Sequence, residues 1–232
     1  MTWRTNRIIV AARNVGRALG LNKAISSYLL GSGYEVKYET SLAGTLLLGD
    51  CVWDVGANVG YYTRLFSKGV GDKGSVWAFE PSTKNFARLS TACADLANVS
   101  LLQAGLGLID ENLYFEQGAD DLGATSRVVD SIAPLATVID VRSGASLIEI
   151  GHALPPNVIK IDVEGFEYEV LQGMGRHLSA MSLRSLGIEV HFGILKLRGK
   201  AEVPRLIEGL LQQHGFLVSW PDSSHILAIR PS

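Results

Sequence analysis

From residue 34 onward, short apolar runs alternate with stretches of helical spacing. Runs at 51–55, 75–79, 99–103, 157–161 and 185–190 are apolar at most positions, as strands covered on both faces are. Between them, helical spacing occupies 60–68, 83–96, 142–152, 165–178 and 202–214. Such an alternation predicts a parallel sheet with helices on both sides. Two last runs, 216–220 and 225–230, flank Pro221-Asp222-Ser223-Ser224 and predict a closing hairpin. Runs at 34–38 and 43–48 predict an opening hairpin ahead of the first core strand. Residues 110–135 are the least regular portion, an acidic insertion with Asp110, Glu111, Glu116, Asp120 and Asp121. A loop of that length near a binding face is more often functional than idle.

Residues 1–30 read as an amphipathic helical lead-in. Ile8, Ala11, Val15, Ala18 and Leu19 recur at helical spacing among Arg4, Arg7, Arg13, Arg17 and Lys23, with no Asp or Glu in the stretch. The plain expectation is a helix packed on the core with its arginines in water. The sharper one is a lid, a dimer element or a weak contact of residues 1–23 with an anionic membrane surface. The chain thus divides into a 1–40 extension and one domain over 41–232.

Composition narrows the class. The 232 residues suffice for one α/β domain with a sizeable core, and 47% apolar with 19% charged residues argues against disorder. A net charge of −2 gives no basic footprint, so no nucleic-acid partner is expected. Cys51 and Cys93 are too few and too far apart for a disulfide framework or zinc cluster, and read as buried thiols of a reducing, cytoplasmic compartment. No apolar run reaches the roughly 18 residues of a membrane span. Oligomeric state leaves no mark on the sequence.

The candidate chemistry lies just beyond the predicted strands, where ligands of open α/β sheets bind. Residues 52–60 read Val-Trp-Asp-Val-Gly-Ala-Asn-Val-Gly: a strand, the carboxylate Asp54, then a turn on Gly56 and Gly60. Glycines let the backbone turn sharply and approach a ligand closely. The string is neither the Gly-x-Gly-x-x-Gly of dinucleotide enzymes, which disfavours an NAD-dependent oxidoreductase, nor a phosphate loop. A carboxylate there would repel a pyrophosphate and suits a ligand carrying an ammonium. Glu80-Pro81 ends the second strand, where α/β nucleotide sites place an acidic residue on a ribose; the plainer reading of Glu80 is a surface residue near a helix cap. Gln103-Ala104 follows the third strand and is a weak candidate for adenine. Asp162 and Glu164 follow the fourth strand, two carboxylates that are costly to bury unless a ligand, metal or hydrogen bonds satisfy them. Glu189 and His191 follow the fifth on one face of an extended chain. His152, His177, His214 and His225 lack such context and read as surface or core residues.

Together these segments resemble the FkbM family of S-adenosylmethionine-dependent methyltransferases. The matching strings are Asp54-Val-Gly-Ala-Asn-Val-Gly-Tyr-Tyr-Thr63, Ala78-Phe-Glu-Pro81, Ile159-Lys-Ile-Asp-Val-Glu-Gly165 with Val170-Leu171 and Gly173, and Glu189 with His191. The resemblance covers roughly residues 45–195. It implies the class I, Rossmann-like methyltransferase fold, a seven-stranded and mostly parallel sheet whose last two strands form the closing hairpin. It also implies methyl transfer from S-adenosylmethionine, typically to a hydroxyl of a sugar or secondary metabolite. On that footing Asp54, through the turn it anchors, and Gly56 would hold the methionine portion, with Asn58, Gly60, Tyr61 and Thr63 shaping the pocket. Glu80 and Pro81 would take the ribose and Gln103 and Ala104 the adenine, with Asp162 also among the donor-binding residues. The acceptor hydroxyl needs a base, for which His191 and the Asp162/Glu164 pair are candidates. Those three with Glu189 could instead hold magnesium or calcium. The sequence leaves base and metal both open. A nucleic-acid or lipid-linked acceptor and a non-catalytic nucleoside-binding scaffold rank behind a small hydroxylated acceptor.

Overall fold

A computed structural model describes residues 34–116, 127–129 and 136–231. Helix α1 (Tyr34–Ala43) leads into β1 (Cys51–Val55), α2 (Tyr61–Val70), β2 (Ser75–Phe79), α3 (Thr83–Ala92) and β3 (Val99–Leu102). Next come β4 (Gly105–Gly107), β5 (Glu111–Glu116), β6 (Arg127–Val129), β7 (Ala136–Ser143) and α4 (Gly144–Glu149). The second half runs β8 (Val158–Ile161), α5 (Glu167–Gly173), a 3-10 turn Gly175–Ser179, β9 (Ser185–Glu189), α6 (Phe192–Leu197), α7 (Val203–Gln213), β10 (Leu217–Ser219) and β11 (His225–Ile229).

The main sheet has seven strands in the order β10-β11-β9-β8-β1-β2-β3. β3, β2, β1, β8 and β9 are parallel, while β11 runs antiparallel to both β9 and β10, so the closing hairpin is present. This is the class I methyltransferase architecture. The strand order reverses between β1 and β8, and the carboxyl ends of those strands meet there.

Burial on both faces explains the continuous apolar runs. On one face Trp53, Val55, Phe79, Ile159, Ile161 and Ile188 pack beneath α5 and α7. On the other, Val52, Val76, Val158 and Leu227 pack beneath Tyr38, Leu42, Tyr62 and Phe66. Helix α7 turns Val203, Ile207 and Leu211 inward at four-residue spacing. Ser82 caps α3 and Ser143 caps α4 through their hydroxyls.

Three expectations change. The opening hairpin over 34–38 and 43–48 is absent: residues 34–43 are helix, and 44–50 are turns. Tyr38 and Leu42 are buried while Val36 is exposed, so the inward positions lie four apart, which fits a helix rather than a strand. The insertion is not an irregular loop where it is described. β5, β6 and β7 join β4 in a second sheet of order β4-β7-β5-β6, closed over Ile139, Val141 and Leu113. The helix over 142–152 shortens to α4, because residues up to Ser143 belong to β7. The lead-in over 1–30 lies outside the described residues, as do 117–126 and 130–135 of the insertion.

Candidate functional site

The β1 turn is built by contact. Gly56 sits at φ 77°, and a Cβ there would fall on the backbone carbonyl of Asp162. Only glycine lets the ends of β1 and β8 press together this way. Asp54, two residues earlier in β1, is wholly buried. Its Oδ1 lies 3.1 Å from Lys160 Nζ, and its Oδ2 accepts from the Thr63 hydroxyl at 2.6 Å. Lys160 also donates to the Gly56 carbonyl at 2.8 Å. Burial works against its ammonium, but Asp54 and Asp162 outweigh it and raise the pKa. The Asp54 charge is therefore met inside the protein, and a ligand ammonium would not find it free. Asp54 acts on the turn, which it holds through Lys160.

Glu80 ends β2 beneath that turn. Its oxygens accept from the backbone N–H of Asn58 and of Ser82, each at 2.9 Å. Burial pushes its carboxyl up to about 7 despite these donors. Asn58 holds a left-handed φ of 53°, which aims its N–H at Glu80. A Cβ on Gly60 would strike Leu89 and Cys93, so that glycine serves the packing of α2 on α3. Tyr61 is half-exposed and donates to Glu39 of α1 at 2.8 Å. Pro81 is half-buried, Gln103 is exposed and donates to Thr83, and Ala104 is buried.

The end of β8 and β9 is built differently. Glu164 and Gly165 take consecutive left-handed dihedrals, φ 52° and 93°, and for a glutamate that costs about 1 kcal/mol. The kink turns Glu164 Oε2 to 3.3 Å from His191 Nε2, while Asp162 Oδ1 lies at 3.5 Å and Glu189 Oε1 at 4.0 Å. On the other side of the ring, Nδ1 meets Glu167 Oε1 at 2.6 Å. The same oxygen accepts from the Gly165 N–H at 2.9 Å. Glu167 is fully buried, and His191 is 3% exposed. Burial opposes the imidazolium, yet Glu164 and Glu167 raise the His191 pKa well above its ordinary value. His191 Nε2 and Glu167 Oε2 are buried without a hydrogen-bond partner.

The structure thus brings Asp162, Glu164, Glu189 and His191 together and sets them beside the Asp54–Gly56 turn. Three participants escaped sequence reasoning. A lysine in a strand buried on both faces, Lys160, demands a carboxylate, and that signal was readable. Glu167 opens α5 and resembled a solvated first-turn acid, though it lies three residues beyond Glu164. His225, read as surface or core, is a buried residue that β11 pairs in register with Glu189, its Nε2 3.6 Å from Oε2. Asp222 holds its Nδ1 at 2.8 Å and Tyr38 stacks on the ring at 4.0 Å. Burial opposes its charge, but Asp222 and Glu189 lift its pKa to about 9.

The Methyltransferase FkbM domain profile matches residues 54–218. The chain belongs to the FkbM methyltransferase family. Hexuronic acid methyltransferase AglP of Haloferax volcanii is 33% identical over 177 residues, 73% of this chain and 70% of that protein. Methyltransferase 1 of Beauveria bassiana is 30% identical over 143 residues, 52% of this chain and 57% of that one. Among solved structures, a Streptococcus mutans protein in complex with S-adenosylhomocysteine superposes with a TM-score of 0.51 at 14% identity, covering 85% of this chain and 97% of its own. An rRNA methylase from Streptococcus thermophilus gives 0.51 at 13%, covering 85% and 95%. These two likenesses show the fold.

As an FkbM methyltransferase, the protein uses S-adenosylmethionine as methyl donor. The residues present fit that group. The Gly56 turn carries no side chain toward the β8 end, and each Glu80 oxygen keeps a lone pair beyond its backbone donor, as ribose hydroxyls require. Among the described residues, no helix is long and apolar enough to cross a membrane.

Proposed function

We propose that this enzyme methylates a hydroxyl oxygen on a small sugar-like acceptor, an acidic sugar being the favoured class. The observation that carries the reading is the cluster of the half-buried Asp162 and Glu164 around the buried His191, beside the donor turn. The bound donor supplies an electrophilic methyl on a sulfonium sulfur. The chain must then align the acceptor oxygen with that methyl and remove the hydroxyl proton. As the carbon–oxygen bond forms and the carbon–sulfur bond breaks, the hydroxyl proton passes to a carboxylate of the cluster, Asp162 or Glu164, and Glu167 keeps the imidazole oriented through Nδ1. In the same reading Gly56 and the Asp54–Lys160 pair shape the methionine pocket with Asn58, Gly60, Tyr61 and Thr63. Glu80 and Pro81 take the ribose, and Gln103 and Ala104 flank the adenine.

Two features beside the cluster support the acceptor class. Phe192, directly after His191, is 38% exposed and tilts against Trp220 at 5.8 Å, an aromatic wall suited to a sugar ring. Arg198 sits over Phe166 at 5.2 Å with its Nη1 3.4 Å from the Gly165 carbonyl, a cation beside the cluster, while Lys200 is held by Glu169 at 2.8 Å. The relative that methylates a hexuronic acid points the same way.

The test is incubation with isotopically labelled donor and paired glycans differing only in a uronic acid or neutral hexose. Label on a hydroxyl oxygen of the uronic acid, located by mass spectrometry, is the expected result. Label on a carboxylate, a nitrogen or RNA would sink it.

A further inference from the structure

We infer that Asp162, Glu164 and His191 form a divalent-cation site, with Glu167 as the residue that orients the imidazole. The inference deepens the hydroxyl-methylation reading by naming what meets the acceptor oxygen. One ligand atom from each of the three residues lies within 4.8 Å of the others. The His191 Nε2 to Glu164 Oε2 and Asp162 Oδ1 separations are 3.3 and 3.5 Å. Donors at right angles on an ion with bonds of about 2.1 Å stand about 3 Å apart, so the trio needs only a small contraction around an ion.

The second observation is the imidazole itself. Its Nε2 is buried, has no hydrogen-bond partner and is aimed between the two carboxylates. A buried polar atom left unpaired costs about 1–3 kcal/mol unless something binds it. The opposite nitrogen meets the wholly buried Glu167 at 2.6 Å. A cation entering the cluster displaces the Nε2 proton to solvent, Nδ1 keeps its own and donates it to that carboxylate, and the Nε2 lone pair then faces the ion. Metal-binding histidines are held this way, with a carboxylate on the far nitrogen fixing tautomer and ring orientation. The left-handed Glu164–Gly165 pair adds a strained backbone that delivers the third ligand.

Two carboxylates with one imidazole suit magnesium or manganese rather than a soft ion. An ion held by three protein ligands would keep further positions that a hydroxyl and a neighbouring oxygen of the acceptor could take. An ion there would lower the pKa of the bound hydroxyl and fix its oxygen in place.

The experiment is a titration of the purified full chain with Mn2+ followed by electron paramagnetic resonance. Calorimetry with S-adenosylhomocysteine on the same samples reports the donor site. Wild type should bind one Mn2+ per chain, competed by Mg2+. His191→Ala and Glu164→Gln should each weaken Mn2+ binding at least tenfold, and Glu167→Gln by about 10–100-fold, the usual penalty for losing the orienting partner. Homocysteine-product affinity should stay within twofold. Should His191→Ala fail to fold, the half-buried Glu164→Gln decides alone. Absence of stoichiometric Mn2+ binding by the wild type, or binding indifferent to Glu164→Gln, overturns the site and leaves methyl transfer untouched. Mn2+ binding without label transfer to any hydroxyl would instead overturn the functional reading and leave the site.

Discussion

The ends of β1 and β2 carry the carboxylates Asp54 and Glu80; three of their oxygens accept hydrogen bonds, from the Thr63 hydroxyl and two backbone N–H groups, and the fourth, Asp54 Oδ1, is ion-paired with Lys160 at 3.1 Å. The ends of β8 and β9 carry Asp162, Glu164 and Glu189 around an imidazole whose outer nitrogen has no partner. Both ends are acidic, and the difference lies in satisfaction. Where the protein answers its own charges, they hold the shape of a turn. At the second end Asp162 and Glu189 are met only at longer range, by Lys160 at 3.7 Å and His225 at 3.6 Å, around an imidazole nitrogen without a hydrogen-bond partner, an arrangement suited to something that arrives from outside. Damage at the first end should therefore appear as lost stability, and damage at the second as lost turnover in a fold that stands.

The sharpest break is Lys160→Met. It strands the buried Asp54 charge, and removing one partner of a buried pair costs about 3–5 kcal/mol. Urea unfolding should show that loss; a cost under about 1 kcal/mol would mean Asp54 does not depend on Lys160. His191→Ala is the counterpart at the other end. Initial rates should fall by at least about tenfold as the cluster loses its imidazole, with S-adenosylhomocysteine affinity nearly intact. Unchanged turnover would remove His191 from the chemistry.

A smaller effect tests Glu80 through pH. Its carboxyl is raised to about 7, so the folded protein holds it protonated below that value. The ionised form accepts ribose hydroxyls better. Donor-product affinity should thus rise as pH climbs through about 7, and Glu80→Gln should flatten the profile. For folding the sign is opposite: a raised carboxyl favours the folded state below its unfolded value near 4.5, and that advantage is lost as pH rises through about 7. Calorimetric binding and thermal melts across pH 5 to 8 separate the two trends.

Glu164→Asn divides stability from activity at one position. Asparagine tolerates the left-handed backbone better, so stability should rise by up to about 1 kcal/mol, while the shortened side chain should cost turnover. The least effect belongs to Gln103→Ala. An exposed side chain with one bond to Thr83 should change stability by less than about 0.5 kcal/mol. A large loss of donor affinity there would give Gln103 a greater part in adenine binding.

The same contrast sets what a reader of the sequence can see. Core strands, glycine turns and the closing hairpin announce themselves because backbone geometry and two-sided burial are written locally. The order of the sheet and the family follow from them. Helix α1 was misread because Tyr34, Val36 and Tyr38 alternate as a strand would, while Tyr38 and Leu42 are the pair that the sheet buries. β7 was missed because its one-sided pattern, Ile139 inward and Val138 outward, depends on a second sheet contributed by β4 and β5. Candidate residues placed by a strand end, such as Asp162 and His191, can be read from the sequence as neighbours, and the structure does bring them together. Glu167 and His225 cannot be, because their roles come from which ring or carboxylate stands across a tertiary gap.

One contact joins the two ends. Gly56 rests directly against the Asp162 carbonyl, with no side chain between. Steric repulsion is steep and indifferent to proton or salt concentration, unlike the charges on either side of it. The gap across which a methyl group would travel is thus gauged by a hard stop rather than by an electrostatic balance. Solution conditions can switch the flanking groups on or off while leaving that spacing unchanged, and even a single added methyl at position 56 would force the halves of the sheet edge apart.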